Sequence, residues 1–191
     1  MSRTFIELVL LACVAALASC ASLPQSVAPL PSNSADAFSF SGRIALRESE
    51  RSLSGGIRWQ HVAARDEILL TSPLGQGVAQ IVRDADGASL RTADDNLYRA
   101  HDVEHLAWEI TGWHLPVDGL AYWVRGLASP AIAASETRDA QGRLARLTQD
   151  EWQVEFAAYF DAPEERLPRR IVLTRPEFEL KLVIDAWDRA P

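Results

Sequence analysis

Phe38-Ser39-Phe40-Ser41-Gly42-Arg43-Ile44-Ala45-Leu46-Arg47 is the stretch that sets the fold class. Phe38, Phe40, Gly42, Ile44 and Leu46 alternate with Ser39, Ser41, Arg43, Ala45 and Arg47. A period of two puts one set on a buried face and the other in water, which marks a strand of an antiparallel sheet. The habit continues through Leu53, Gly55, Ile57 and Trp59, then Ile68 and Leu70, Val78 to Val82, and Leu90. Asp84-Ala85-Asp86-Gly87 reads as a hairpin turn within this meander. After Pro130 the period returns at Leu144 and Leu147, at Trp152, Val154 and Phe156, at Ile171 and Leu173, and at Phe178, Leu180, Leu182 and Ile184. Asp139-Ala140-Gln141-Gly142 and Gln149-Asp150-Glu151 supply the intervening turns.

Between the two runs the spacing changes. Val103, Leu106, Ala107 and Ile110 fall at helical intervals after Asp102, and Gly112 can end that helix as its C′ residue. Beyond Leu115-Pro116, a second helix carries Leu120, Trp123, Val124 and Leu127 on one stripe. The expected fold is mainly β with a helical lid (α+β): an incomplete antiparallel half-barrel of about ten strands with the helices over its open side. Trp59, Leu106, Ile110, Leu120, Trp123, Leu127, Trp152 and Phe156 are the candidate cavity or lid residues. The six tryptophans can line a cavity or simply fill a core, and the pattern leaves both open.

Outward from this domain, the N-terminus changes character. Leu8 to Leu17 is an apolar run too short for a bilayer span but of signal-peptide length. Leu17-Ala18-Ser19-Cys20 then resembles the lipobox of bacterial lipoproteins, in which the Cys thiol is acylated and its amine becomes the new terminus. That divides the chain into a leader at 1–19, a lipidated tether at 20–37 and a folded domain at 38–188. Ala21 to Ala37 holds three prolines and four serines with almost no charge. As a flexible coil its 17 residues reach roughly 20 to 25 Å. With Ala21 and Ser22 and no Asp after Cys20, the resemblance to this lipoprotein class implies sorting to the outer membrane, facing the periplasm. Only Cys13 and Cys20 exist, so the mature chain has no disulfide. The net charge is −7, and losing Arg3 and Glu7 with the leader leaves it unchanged, which argues against nucleic acid and against broad adhesion to anionic lipid.

The chemical motifs are thin. His101-Asp102-Val103-Glu104-His105 matches H-x-x-E-H of inverted zinc peptidases. His101 falls at or before the helix cap, however, and no third ligand is evident, so no metal is assigned. His61 and His114 are isolated and read as surface or loop residues. There is no G-x-S-x-G, and Gly75-Gln76-Gly77 lacks a P-loop lysine, so neither a hydrolase nor a nucleotide or other cofactor is indicated. Ser72-Pro73-Leu74-Gly75-Gln76-Gly77 places one large apolar side chain in a turn, where Leu74 can project as a membrane-seeking tip or fold inward as a plug.

Several segments in order resemble the LolB family of outer-membrane lipoprotein receptors: Gly42 to Leu46, Pro73 to Gly77, Gly112 to Val117, Tyr122 to Leu127 and Lys181 to Ile184. The resemblance implies an apolar cavity for acyl chains, a soluble periplasmic carrier of the LolA type, acylated lipoprotein cargo, outer-membrane lipid as the destination, and a monomer without catalytic activity. It also implies that Cys20 is the lipid attachment site and that Leu74 protrudes to help insert cargo. A lipoprotein that shuttles a free lipid or glycolipid, a metal hydrolase and a purely structural lipoprotein are the competing readings.

Overall fold

The computed structural model describes residues 37–162, 164 and 166–188. The leader, Cys20 and the tether through residue 36 lie outside the described residues. The strands are β1 (Phe38–Glu48), β2 (Arg51–Val62), β3 (Arg65–Thr71), β4 (Gly77–Asp84), β5 (Gly87–Thr92), β6 (Leu97–Ala100), β7 (Ala134–Arg138), β8 (Leu144–Gln149), β9 (Trp152–Tyr159), β10 (Pro168–Arg175) and β11 (Phe178–Trp187). The helices α1 (Val103–Thr111) and α2 (Val117–Trp123) separate β6 from β7.

All eleven strands form one antiparallel sheet in the order β6-β5-β4-β3-β2-β1-β11-β10-β9-β8-β7. Each half is a meander. The pairing of β1 with β11, in which Ile44 opposes Leu182 and Leu46 opposes Leu180, joins the halves at the centre. β6 and β7 are the outer strands, so the sheet remains open between them. The short hairpins follow the turn chemistry: Asp150 and Glu151 both take positive φ between the paired Gln149 and Trp152. Asp139 Oδ1 accepts from the amides of Gln141 and Arg143 at 2.9 Å to hold the β7–β8 turn.

The predicted alternation becomes the core. Ile171, Leu173, Leu180, Leu182 and Ile184 are fully buried, and each contributes about 1.5–3 kcal/mol relative to an exposed side chain. Helix α1 forms where expected: Asp102 Oδ1 accepts from Glu104 N at 2.7 Å, and Gly112, at φ 70°, donates its N–H to Trp108 O at 2.7 Å. Its buried stripe is Val103, Leu106 and Ala107, and it packs against β5 and β6. Helix α2 is shorter than its apolar stripe predicted. Gly126 turns left-handed at φ 73°, and the Gly126 and Leu127 amides bond back to Trp123 O and Tyr122 O. This Schellman-type stop removes Leu127 from the buried stripe and leaves it 49% exposed.

Candidate functional site

Between α2, with Leu115 just before it, and the facing side of β1–β4 lies a cavity of about 140 Å³. Its walls come from alternate residues of successive strands, among them Ile44, Ile57, Trp59, Ile68 and Ile81, and its cover from Leu115, Val117 and Leu120. No titratable side chain lines it. Burying an unpaired polar group there costs free energy, so the space suits hydrocarbon.

One end of the cavity is open to its surroundings. Leu53 and Val78, both 40% exposed, belong to its lining together with Pro73. Glycine at 55 is required by close approach, because a Cβ there would collide with the Thr71 carbonyl oxygen. Ser54, Gly55, Gly56 and Thr71 to Pro73 also border a groove on the other side of the sheet, beside Arg43 and Lys181.

Next to this mouth, the β3–β4 loop is closed on itself. Ser72 N donates to Gln76 O at 2.8 Å, Gly75 N to Ser72 O at 2.9 Å, and Gly75 sits at φ 82°. A side chain at the tip of such a staple has no route inward. Leu74 is 89% exposed, which decides between the projecting tip and the plug.

Two arginines tie the helices to the sheet. From β2, Arg51 donates to Thr111 O at 2.8 Å and Gly112 O at 3.3 Å, placing positive charge at the C-terminal end of α1, and lies over Trp113. From β4, Arg83 bonds Asp66 through Nε at 2.8 Å and also contacts Asp118 in the first turn of α2. Asp66 is fully buried and accepts from Trp59 Nε1 at 2.8 Å and from His61 Nδ1 at 2.7 Å. Burial alone would raise the Asp66 carboxyl, but the His61 hydrogen bond, the Arg83 charge and the Trp59 hydrogen bond outweigh it and hold it below its ordinary pKa. Glu104 shifts the other way: burial and then the Asp102 and Asp150 charges push it up, against Arg83 and the Val117 amide.

Of the residues singled out from sequence, Trp59 and Leu120 line the cavity. Leu106, Trp123, Trp152 and Phe156 are buried in the apolar core without reaching it, and Ile110 packs at the core's margin. The six tryptophans therefore divide: Trp59 is a wall, Trp113, Trp123 and Trp152 are core, Trp187 packs partly buried against that core, and Trp108 is 45% exposed and stacked on His114 at 4.1 Å. His61 corrects the expectation of a surface or loop residue, because it lies in β2, is buried against Phe38 and bonds Asp66. His101 precedes the α1 cap and His105 is exposed on the helix, while Glu104 faces the Val117 amide, so the three do not converge. The sequence marks Gln149 only as a turn residue. Buried at the end of β8, its Oε1 accepts from Trp123 Nε1 at 3.0 Å and Ser129 N at 2.9 Å, pinning α2 and the segment after it.

An open antiparallel sheet with a helical cover, and an apolar cavity that no titratable side chain lines beside an exposed leucine, define the class of fold to which this chain belongs. The family profile described as Outer membrane lipoprotein LolB matches residues 36–187, and the chain belongs to that family. It is 42% identical to the Outer-membrane lipoprotein LolB of Thiobacillus denitrificans, over 92% of this chain and 94% of that one. Identity to the protein of the same description from Nitrosomonas europaea is 41%, over 78% of this chain and 72% of the relative. Among solved structures, a putative outer membrane lipoprotein-sorting protein domain from Vibrio parahaemolyticus shares the fold, with a TM-score of 0.50 and 10% identity, covering 82% of this chain and 86% of that one.

Proposed function

We propose that this protein is a lipid-anchored receptor at the periplasmic face of the outer membrane, which accepts lipoproteins from a soluble periplasmic carrier of the LolA type and inserts them into the inner leaflet. Family membership supports the lipoprotein-sorting role and the outer-membrane location. The observation that carries the mechanism is the juxtaposition of an apolar cavity mouth with the fully projecting Leu74.

The physical need is clear from the cargo. At about 0.8 kcal/mol per buried CH₂, a sixteen-carbon acyl chain represents on the order of 12 kcal/mol, so a bare chain does not cross water. A cavity removes that barrier only if it later gives the chain up. The present volume of about 140 Å³ lies below the roughly 300–1,000 Å³ of ordinary ligand sites, so loading requires the cover of Leu115, Val117 and Leu120 at α2 to shift. A site that must be forced open holds acyl chains less tightly than a bilayer does, and release into the membrane runs downhill without nucleotide. Cys20 supplies the anchor and Leu74 the local contact with lipid. The protein acts as a monomer and needs no cofactor, metal or catalytic group.

The test is a transfer assay. Carrier loaded with labelled lipoprotein is mixed with the receptor, then with liposomes of outer-membrane phospholipid, and both steps are followed. Movement of label first to the receptor and then to the liposomes is the expected result. Failure of label to leave the carrier, or recovery of free lipid as the bound species, overturns the proposal.

A further inference from the structure

The sheet carries a third free edge besides its two outer strands. β2 pairs with β1 along its whole length, from Arg51 opposite Glu48 to His61 opposite Phe38. β3 covers β2 only from Gly56, opposite Thr71, onward. Among the described residues, the backbone edge at Arg51 to Ser54 therefore has no strand partner on that side. All four residues are exposed.

This edge differs from both outer strands in one property and from β7 in a second. It borders the cavity mouth, since Leu53 and Ser54 belong to the lining, whereas no residue of β6 or β7 does. It is also unguarded. Free edges are commonly blunted by proline, bulges or charge, but here the β1–β2 register is regular and no proline interrupts it. The one charged side chain, Arg51, is directed to the α1 carbonyls. On β7, by contrast, Glu136 and Arg138 form an exposed ion pair.

We infer that the Arg51–Ser54 edge is a docking strand for the extended N-terminal peptide of an acylated polypeptide whose acyl chains occupy the cavity. This rests on the receptor reading above. Acyl chains attached at the first residue of the cargo draw that residue to the mouth, and the peptide behind it leaves past Leu53 and Ser54. Its amides pass an apolar rim, where unpaired N–H and C=O groups are costly. The free edge offers complementary main-chain donors and acceptors. At about 3.3 Å per residue, four residues give a dock of roughly 13 Å, enough for three or four cargo residues. Pairing through the backbone is indifferent to side chains, which suits a receptor handling many cargo sequences, and it is the general mode of strand addition to an exposed edge.

The experiment uses the full-length protein and four ligands: a palmitoylated hexapeptide with a photoreactive third residue, the same peptide with its side-chain order scrambled, a version N-methylated on the backbone at each of residues two to five so that both strand edges are blocked, and free palmitate. Scrambling changes affinity by less than about twofold, whereas N-methylation weakens it by about tenfold, and the photoproduct maps to residues 51–54. Equal affinity of the N-methylated peptide, attachment on β6 or β7, or pairing of two receptor copies through this edge in place of peptide overturns the docking strand while leaving the receptor standing. If neither palmitate nor any peptide binds, the receptor reading fails and the docking strand falls with it.

Discussion

Leu74→Glu should separate reception of cargo from its delivery. The side chain is 89% exposed on a loop held by its own backbone hydrogen bonds, so the substitution leaves the fold intact. Transferring one leucine from water into a membrane interface is worth about 1.5–3 kcal/mol, which corresponds to roughly a 10- to 150-fold bias toward the membrane-engaged orientation. Glutamate removes that bias and adds a hydrated charge. The effect is too small to detach a protein held by acyl chains worth on the order of 12 kcal/mol each, so fractionation with membranes should not change. Leu74 is also absent from the cavity lining, and carrier-to-receptor transfer should proceed within about twofold of the wild type. Receptor-to-liposome transfer should fall at least tenfold, with Leu74→Ala in between. The two rates are measured separately with labelled lipoprotein. Equal loss of both steps, or normal delivery by the glutamate variant, refutes the assignment.

Three further outcomes follow from the same structure. Asp66→Asn leaves the half-buried Arg83 with only Asp118 and puts a neutral amide among the donors Trp59, His61 and Arg83, which should cost about 1–3 kcal/mol in denaturant unfolding; because the folded Asp66 pKa is depressed, its contribution is present above the unfolded carboxylate value near pH 4 and lost as pH falls through the lower folded value, so the variant should lack this part of the wild-type acid destabilisation. Leu120→Phe projects into the cavity, and acyl-probe binding should drop several-fold with the melting temperature within a few degrees, whereas a large loss of stability would place Leu120 in a filled core. Cys20→Ala should abolish acylation and membrane fractionation while residues 38–188 retain cooperative unfolding, as followed by tryptophan fluorescence; loss of that transition would mean that the tether is part of the fold.

Local order was legible wherever it depends on neighbours in the chain. The period of two from Phe38 to Leu46, the Asp102 and Gly112 caps and the Asp-rich turns concern residues one to nine positions apart, and each appears where the sequence placed it. Eleven strands rather than about ten follow from β6 and β7, which are short outer strands whose exposed residues, all five of them in β7, carry no alternating burial. Leu127 failed for a related reason: an apolar stripe continues in sequence past a helix stop that depends on the left-handed turn at Gly126.

The sequence by itself determined the strand faces and the two helices, because these are properties of spacing and composition. Only the tertiary structure decided that Leu74 points outward, that His61 joins a buried carboxylate, that Trp59 is a wall while Trp123 is core, and that β2 outruns β3 beside the cavity mouth. Each depends on which distant segments pair and in what register. Asp66 is buried only because the pairing of β2, β3 and β4 brings Trp59, His61 and Arg83 around it, and no local period encodes that convergence.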